Sequence, residues 1–122
     1  MTINYKLTGA DIIEFREFCR RGKKAGLMDK LLGKLVEIKP DTVANCQTTL
    51  TDDAIKSKDF NGTHTYKYAA VKKIVGVNKC CYVFVGKDKA IVIPRVTFET
   101  DREFFAFFAT IMKETGLQIE LG

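Results

Sequence analysis

The residues with the most intrinsic reactivity in this 122-residue chain are its single histidine, His64, and four cysteines, Cys19, Cys46, Cys80 and Cys81. A histidine titrates near neutrality and can move a proton, but no Ser or Cys nucleophile stands in a recognised arrangement with His64. Asp59 is a poorly defined partner, so a packed or exposed strand histidine is expected. The cysteines form no CxxC pair and have no histidine at ligand spacing, so no metal site is expected. Cys80 and Cys81 adjoin on an extended run and would point to opposite faces. Two acidic pairs, Asp52 with Asp53 and Asp101 with Glu103, sit where a turn or a helix cap already favours carboxylates. No catalytic constellation or cofactor motif emerges, and a non-enzymatic domain is expected.

Basic residues offer a different chemistry, the capture of anions. Between Arg16 and Lys39 eight basic residues face three acids, which accounts for the net charge of +5. Arg20, Arg21, Lys23 and Lys24 lie closest together there and are candidate contacts for a membrane surface or an anion, because basic residues beside a membrane are attracted to anionic lipid. The alternative is a solvated linker flanking a helix. A second group, Lys72, Lys73, Lys79, Lys87, Lys89 and Arg95, lies along two hairpins; Lys72 and Lys73 are further candidate contacts. Outward lysines also guard sheet edges against pairing with other chains. The pI of 9.0 raises nucleic acid as a partner, yet the basic residues are mostly lysines without interleaved aromatics or a basic recognition helix, which argues against it.

Local patterns supply the elements that would hold these residues. Thr2 to Leu7 alternates as a half-buried strand. Thr8 and Asp11 form a capping pair for a helix from Gly9 to about Arg21, with Ile12, Phe15 and Cys19 on one face and Phe18 widening it. After the junction Cys19 to Gly26, Leu27 to Val36 suggests a second short amphipathic helix, stopped by Pro40. Strands are expected at 42–50 and 54–58 around a Thr51-Asp52-Asp53 turn. An Asn61-Gly62 hairpin leads to a strand over 63–68, and further strands are expected at 71–77, 80–85 and 90–93. Thr100 and Glu103 form a capping box for a Phe-rich helix that ends near Thr115, with Gly116 as its C-cap. Leu117 to Leu121 is either a short last strand or a frayed end.

The architecture expected is α+β: a strongly curved antiparallel sheet of six or seven strands, capped by the last helix, with a strand and helix at the start. Length suits one domain over 1–122, divided at 40–41 into a strand-helix segment and a sheet-helix segment. A hydrophobic fraction of 46% with nine Phe and four Tyr suffices for a core. No run approaches the length of a membrane span. Without a leader-like opening, four reduced thiols are expected.

The segments TTLTDDAI (48–55), YKYAAVKKIV (66–75), CYVFVGKDKAIVIP (81–94) and VTF followed by a capped helix resemble the C-terminal domain of the bacterial YcxB-like family. Tyr68 stands at that family's strand-leading aromatic, and Pro94-Arg95 at its proline-basic pair. The resemblance implies a pleckstrin-homology-like fold, a partly open barrel, and a membrane-associated setting on the cytoplasmic side. Family members carry two membrane-spanning helices where this chain has only Cys19 to Val36. Either this is a variant without that hairpin, hence cytoplasmic, or the hairpin has been removed at Gly22 to Gly26, and removal is the expectation. The function implied is a binding domain for a protein or for anionic lipid headgroups. The alternative is a self-associating module using an exposed sheet edge.

Overall fold

In the computed structural model, residues 1–21, 42–59 and 62–122 are described. The expected Leu-rich helix at 27–36, Lys23, Lys24, Pro40 and the Asn61 side of the hairpin fall outside them.

Alternation of polar and apolar residues produces β1 (Thr2–Thr8), and the chain then turns into α1 (Gly9–Arg21). The turn is held by the expected pair acting both ways: the Thr8 N–H donates to Asp11 Oδ2 at 3.1 Å and the Asp11 N–H donates to Thr8 Oγ1 at 3.2 Å. Three strands follow, β2 (Val43–Leu50), β3 (Ala54–Asp59) and β4 (Gly62–Lys67). The Thr51 N–H to Ala54 carbonyl bond at 2.9 Å closes the first of the two hairpins. At the second, Asp59 pairs with Gly62, whose φ of +109° suits only glycine. These strands form an antiparallel sheet in the order β1-β2-β3-β4.

The expected continuous meander is interrupted at this point. Tyr68–Ala70 adopts a single 3-10 turn, with Tyr68 buried and its hydroxyl donating to the Thr51 carbonyl at 2.7 Å. That anchor draws the chain off the first sheet, so the strand expected at 71–77 shortens to β5 (Lys73–Gly76). β6 (Cys80–Phe84) and β7 (Ala90–Pro94) follow as hairpins around the expected turns. The second sheet has the order β7-β6-β5-β8, where β8 (Ile119–Leu121) is the last strand and lies parallel to β5. The fold is therefore mixed α+β with two four-stranded sheets, not one antiparallel sheet, and no closed barrel forms among the described residues. β1 and β7 nonetheless come close to each other where the sheets meet.

The capping box is present at α2 (Asp101–Thr115): the Glu103 N–H donates to Thr100 Oγ1 at 3.2 Å, and Glu103 Oε2 accepts from the Glu99 N–H. Gly116 closes the helix in the left-handed region at φ +72°. Phe104, Phe107, Phe108 and Ile111 are buried, and Phe98 packs edge-on against Phe104 with ring centroids 5.4 Å apart. One hydrophobic cluster links these side chains to Tyr5 and Leu7 of the first sheet, Phe15 of α1 and every residue of β6. β6 is buried on both faces, with Cys80, Tyr82 and Phe84 alternating against Cys81 and Val83.

Among the described residues, no helix is long and apolar enough to cross a membrane.

Candidate functional site: a lysine-rimmed groove

α1 crosses the Tyr82–Phe84 face of β6. Phe15 meets the Tyr82 ring edge-on at 5.0 Å, and Phe18 lies 5.4 Å from Tyr82 and 6.3 Å from Phe84. Because α1 is short and the sheet broad, a groove of about 790 Å³ remains along the C-terminal half of the helix. Tyr82 and Phe84 floor it, and Phe18 and Cys19 form one wall. The rim comes from β5 and from the turns on either side of β6, which contribute Lys73, Lys79, Lys87 and Asp88.

The electrostatics are mixed, with a positive surplus of three lysines over Glu14 and Asp88. Lys79 Nζ stands 3.9 Å from Glu14 Oε1, so part of its charge is already met. Lys73 Nζ stands 4.7 Å above the Phe84 ring, a cation–π contact that holds the ammonium over this part of the groove floor. The accessible chemistry of the groove is therefore that of the ammonium groups at its rim, which suits an anionic group, with Tyr82 and Phe84 buried beneath.

The buried thiols Cys46, Cys80 and Cys81 are not poised for nucleophilic chemistry. Burial pushes the Cys80 thiol up to about 12, helped by Asp11 and Glu14 nearby. Cys81 is likewise pushed up to about 12 by burial, against a small opposing pull from Arg95, and Cys46 up to about 11 by burial and Asp59. Such thiols keep their protons at neutral pH and are poor nucleophiles. The Tyr82 phenol is pushed far up by burial and by neighbouring Cys80 and Glu14, so it is no general base. No disulfide joins any of the four cysteines.

The other residues singled out in the sequence are placed as follows. His64 is half-buried on β4 and stacks on Tyr66, 6.1 Å away at 25°. Among the described residues no group of three or more His, Cys, Asp or Glu could hold a metal. Asp53 accepts from the Thr51 hydroxyl at 3.0 Å within its turn, and Asp101 and Glu103 begin α2 as cap residues.

The basic candidates divide. Arg20 is exposed on α1 and pairs with Glu17; Arg21 ends the helix; Lys23 and Lys24 lie outside the described residues. Lys72 is exposed, with its backbone N–H donating to the Phe84 carbonyl, and does not line the groove, whereas Lys73 does. Lys89 lies 5.5 Å above Tyr66 and Arg95 lies 4.7 Å above Phe104, both away from the groove. Lys73 stands on β5, which has neighbours on both sides, so edge protection does not explain its charge, whereas Lys89 and Arg95 flank β7, an end strand of its sheet.

Sequence reasoning missed Glu14 and the floor formed by Tyr82 and Phe84. The signal was present in the two-residue spacing Cys80, Tyr82, Phe84 beside the helical spacing of Phe15 and Phe18, but which helix covers which face is a tertiary fact.

The chain matches no protein-family model, no curated protein and no solved structure.

Proposed function

We propose that this chain is a non-enzymatic, pleckstrin-homology-like binding domain that takes the headgroup of an anionic phospholipid in the α1–β6 groove, at the cytoplasmic face of a bacterial membrane. The observation that carries this reading is the convergence of Lys73, Lys79 and Lys87 above the Tyr82–Phe84 floor. Ammonium groups at the rim meet the phosphate, while Tyr82 and Phe84, both buried, support the groove from beneath. The run of basic residues between Arg16 and Lys39 begins on α1, the wall of the same groove, and adds attraction toward a negative surface.

The fold supports the reading at the level of analogy. Two sheets in the orders β4-β3-β2-β1 and β7-β6-β5-β8, with β1 close to β7 and a C-terminal helix packed into their core, resemble a partly open pleckstrin-homology-like barrel, to which the parallel strand β8 is an addition. The YcxB-like resemblance points to the same setting.

Vesicle co-sedimentation tests it. The domain should bind vesicles containing phosphatidylserine or phosphoinositide and not pure phosphatidylcholine, and the binding should fade as salt rises. With about 1 kcal/mol per lysine near an anionic surface, the triple variant K73A/K79A/K87A should bind on the order of a hundredfold more weakly. Equal binding by the triple variant, or no preference for anionic vesicles, would refute the groove as the site.

A further inference from the structure

The first sheet ends on β4, and the hydrogen-bond register shows which of its backbone groups are left over. The Thr51 N–H donates to the Ala54 carbonyl, so Ala54, Lys56 and Lys58 of β3 direct their backbone groups toward β2. In an antiparallel ladder the bonding direction alternates residue by residue. Ile55, Ser57 and Asp59 therefore bond β4 through their partners Tyr66, His64 and Gly62. The N–H and C=O groups of Thr63 and Thr65 point the other way, and among the described residues nothing pairs with them.

Such an edge is normally blunted by proline, a bulge or charge. Thr63 to Tyr66 carries no proline and no charged residue, and the charges nearest this edge are Lys67 at the end of the strand and Lys89 above the Tyr66 ring. The second sheet is handled differently: β7 lies close to β1, and β8 is three residues long with Glu120 at its centre. The open strand is also self-complementary. It reads Gly-Thr-His-Thr-Tyr, so an antiparallel copy centred on His64 sets Thr63 opposite Thr65 of the second chain, twice. It also sets each Tyr66 across from a Gly62, where an aromatic ring covers the bare glycine.

We propose that β4 is a homodimerisation edge: two copies of this chain pair antiparallel about His64, joining their first sheets into one continuous sheet. The β3 lysines do not oppose it, and Lys67 lies beyond the Gly62–Tyr66 pairing. Lys56 and Lys58 on β3 come no nearer to the β3 lysines of the second copy than three strand spacings, about 14 Å, which exceeds the screening length of about 8 Å at physiological ionic strength. The pairing uses no residue of the lysine-rimmed groove, so it stands or falls separately from lipid binding.

Light scattering and sedimentation of the full chain without lipid, across a wide concentration range, provide the test. The chain should be a concentration-dependent dimer. Thr65→Pro removes an N–H that faces outward and leaves the β3 ladder intact, so it should give a monomer with an unchanged circular dichroism spectrum. T63K/T65K sets lysine against lysine across the two-fold and should weaken the dimer by at least about tenfold, whereas T63E/T65K sets Glu against Lys and should restore it. Should T65P fail to fold, the two charge variants decide alone. A wild-type chain that stays monomeric, or a dimer equally strong in T63K/T65K and T63E/T65K, would overturn the proposal.

Discussion

Burial sets the behaviour of individual side chains here more than charge does. Tyr5 is held up to about 12 by burial, although its hydroxyl shares a 2.8 Å hydrogen bond with Thr48 that pulls the other way. Cys46 is raised to about 11, and Cys80 and Cys81 to about 12. In the unfolded chain the thiols lose their protons near 9, so above that pH the folded state holds more protons than the unfolded one. Stability is then full below about pH 9 and falls as pH rises toward 11 to 12, by about 1.4 kcal/mol per pH unit for each thiol involved. Urea melts should show a midpoint that drops steeply between pH 9 and 11, and a Cys81→Ala variant should show a shallower drop. A midpoint flat through pH 11 would contradict this account of the thiols.

Elements whose signals are local were legible, and those that depend on distant partners were not. The Thr100–Glu103 box, Gly116 and the Asp52-Asp53 turn each sit within four residues of their partners, and each forms as expected. Removing either end of α2 should have a measurable cost: Thr100→Ala about 1 kcal/mol from the lost cap, and Gly116→Ala about 1 kcal/mol from a Cβ forced to φ +72°. Thermal melts would read both, and no change in Gly116→Ala would show that the C-cap is dispensable. By contrast, β1 pairs with β2 across α1 and the intervening chain, and β5 pairs with β8 across α2. No short-range pattern encodes those meetings. The break at Tyr68–Ala70 was hidden because THTYKY alternates smoothly into YAAV, and only the bond from Tyr68 to Thr51 shows why the strand stops. The groove was half legible: its lysines were picked out, while its floor and Glu14 needed the packing of α1 on β6.

At the scale of the whole molecule, one core joins the two sheets, α1 and α2 among the described residues, so these parts lack independent cores of their own. Phe108 is wholly buried within it and touches Phe98, Phe104 and Phe107. Phe108→Ala should lower stability by about 3–5 kcal/mol, and fluorescence and circular dichroism should still report a single coincident transition. Separate transitions for the two probes would mean that the sheets unfold as independent units.

The parallel strand β8 carries a kinetic consequence. Its partner β5 is laid down long before it in the chain, and the ladder between them can close only after two hairpins and α2 have taken their places. A contact of that sequence separation is the slow kind, and the strand it recruits is three residues long with Leu121 almost wholly exposed. β8 should be the last piece to dock during refolding and the first to let go, with its amides exchanging in deuterated water well before those of β6. When it leaves, it uncovers β5 beside Lys73, so the rim of the groove opens and closes with the end of the chain.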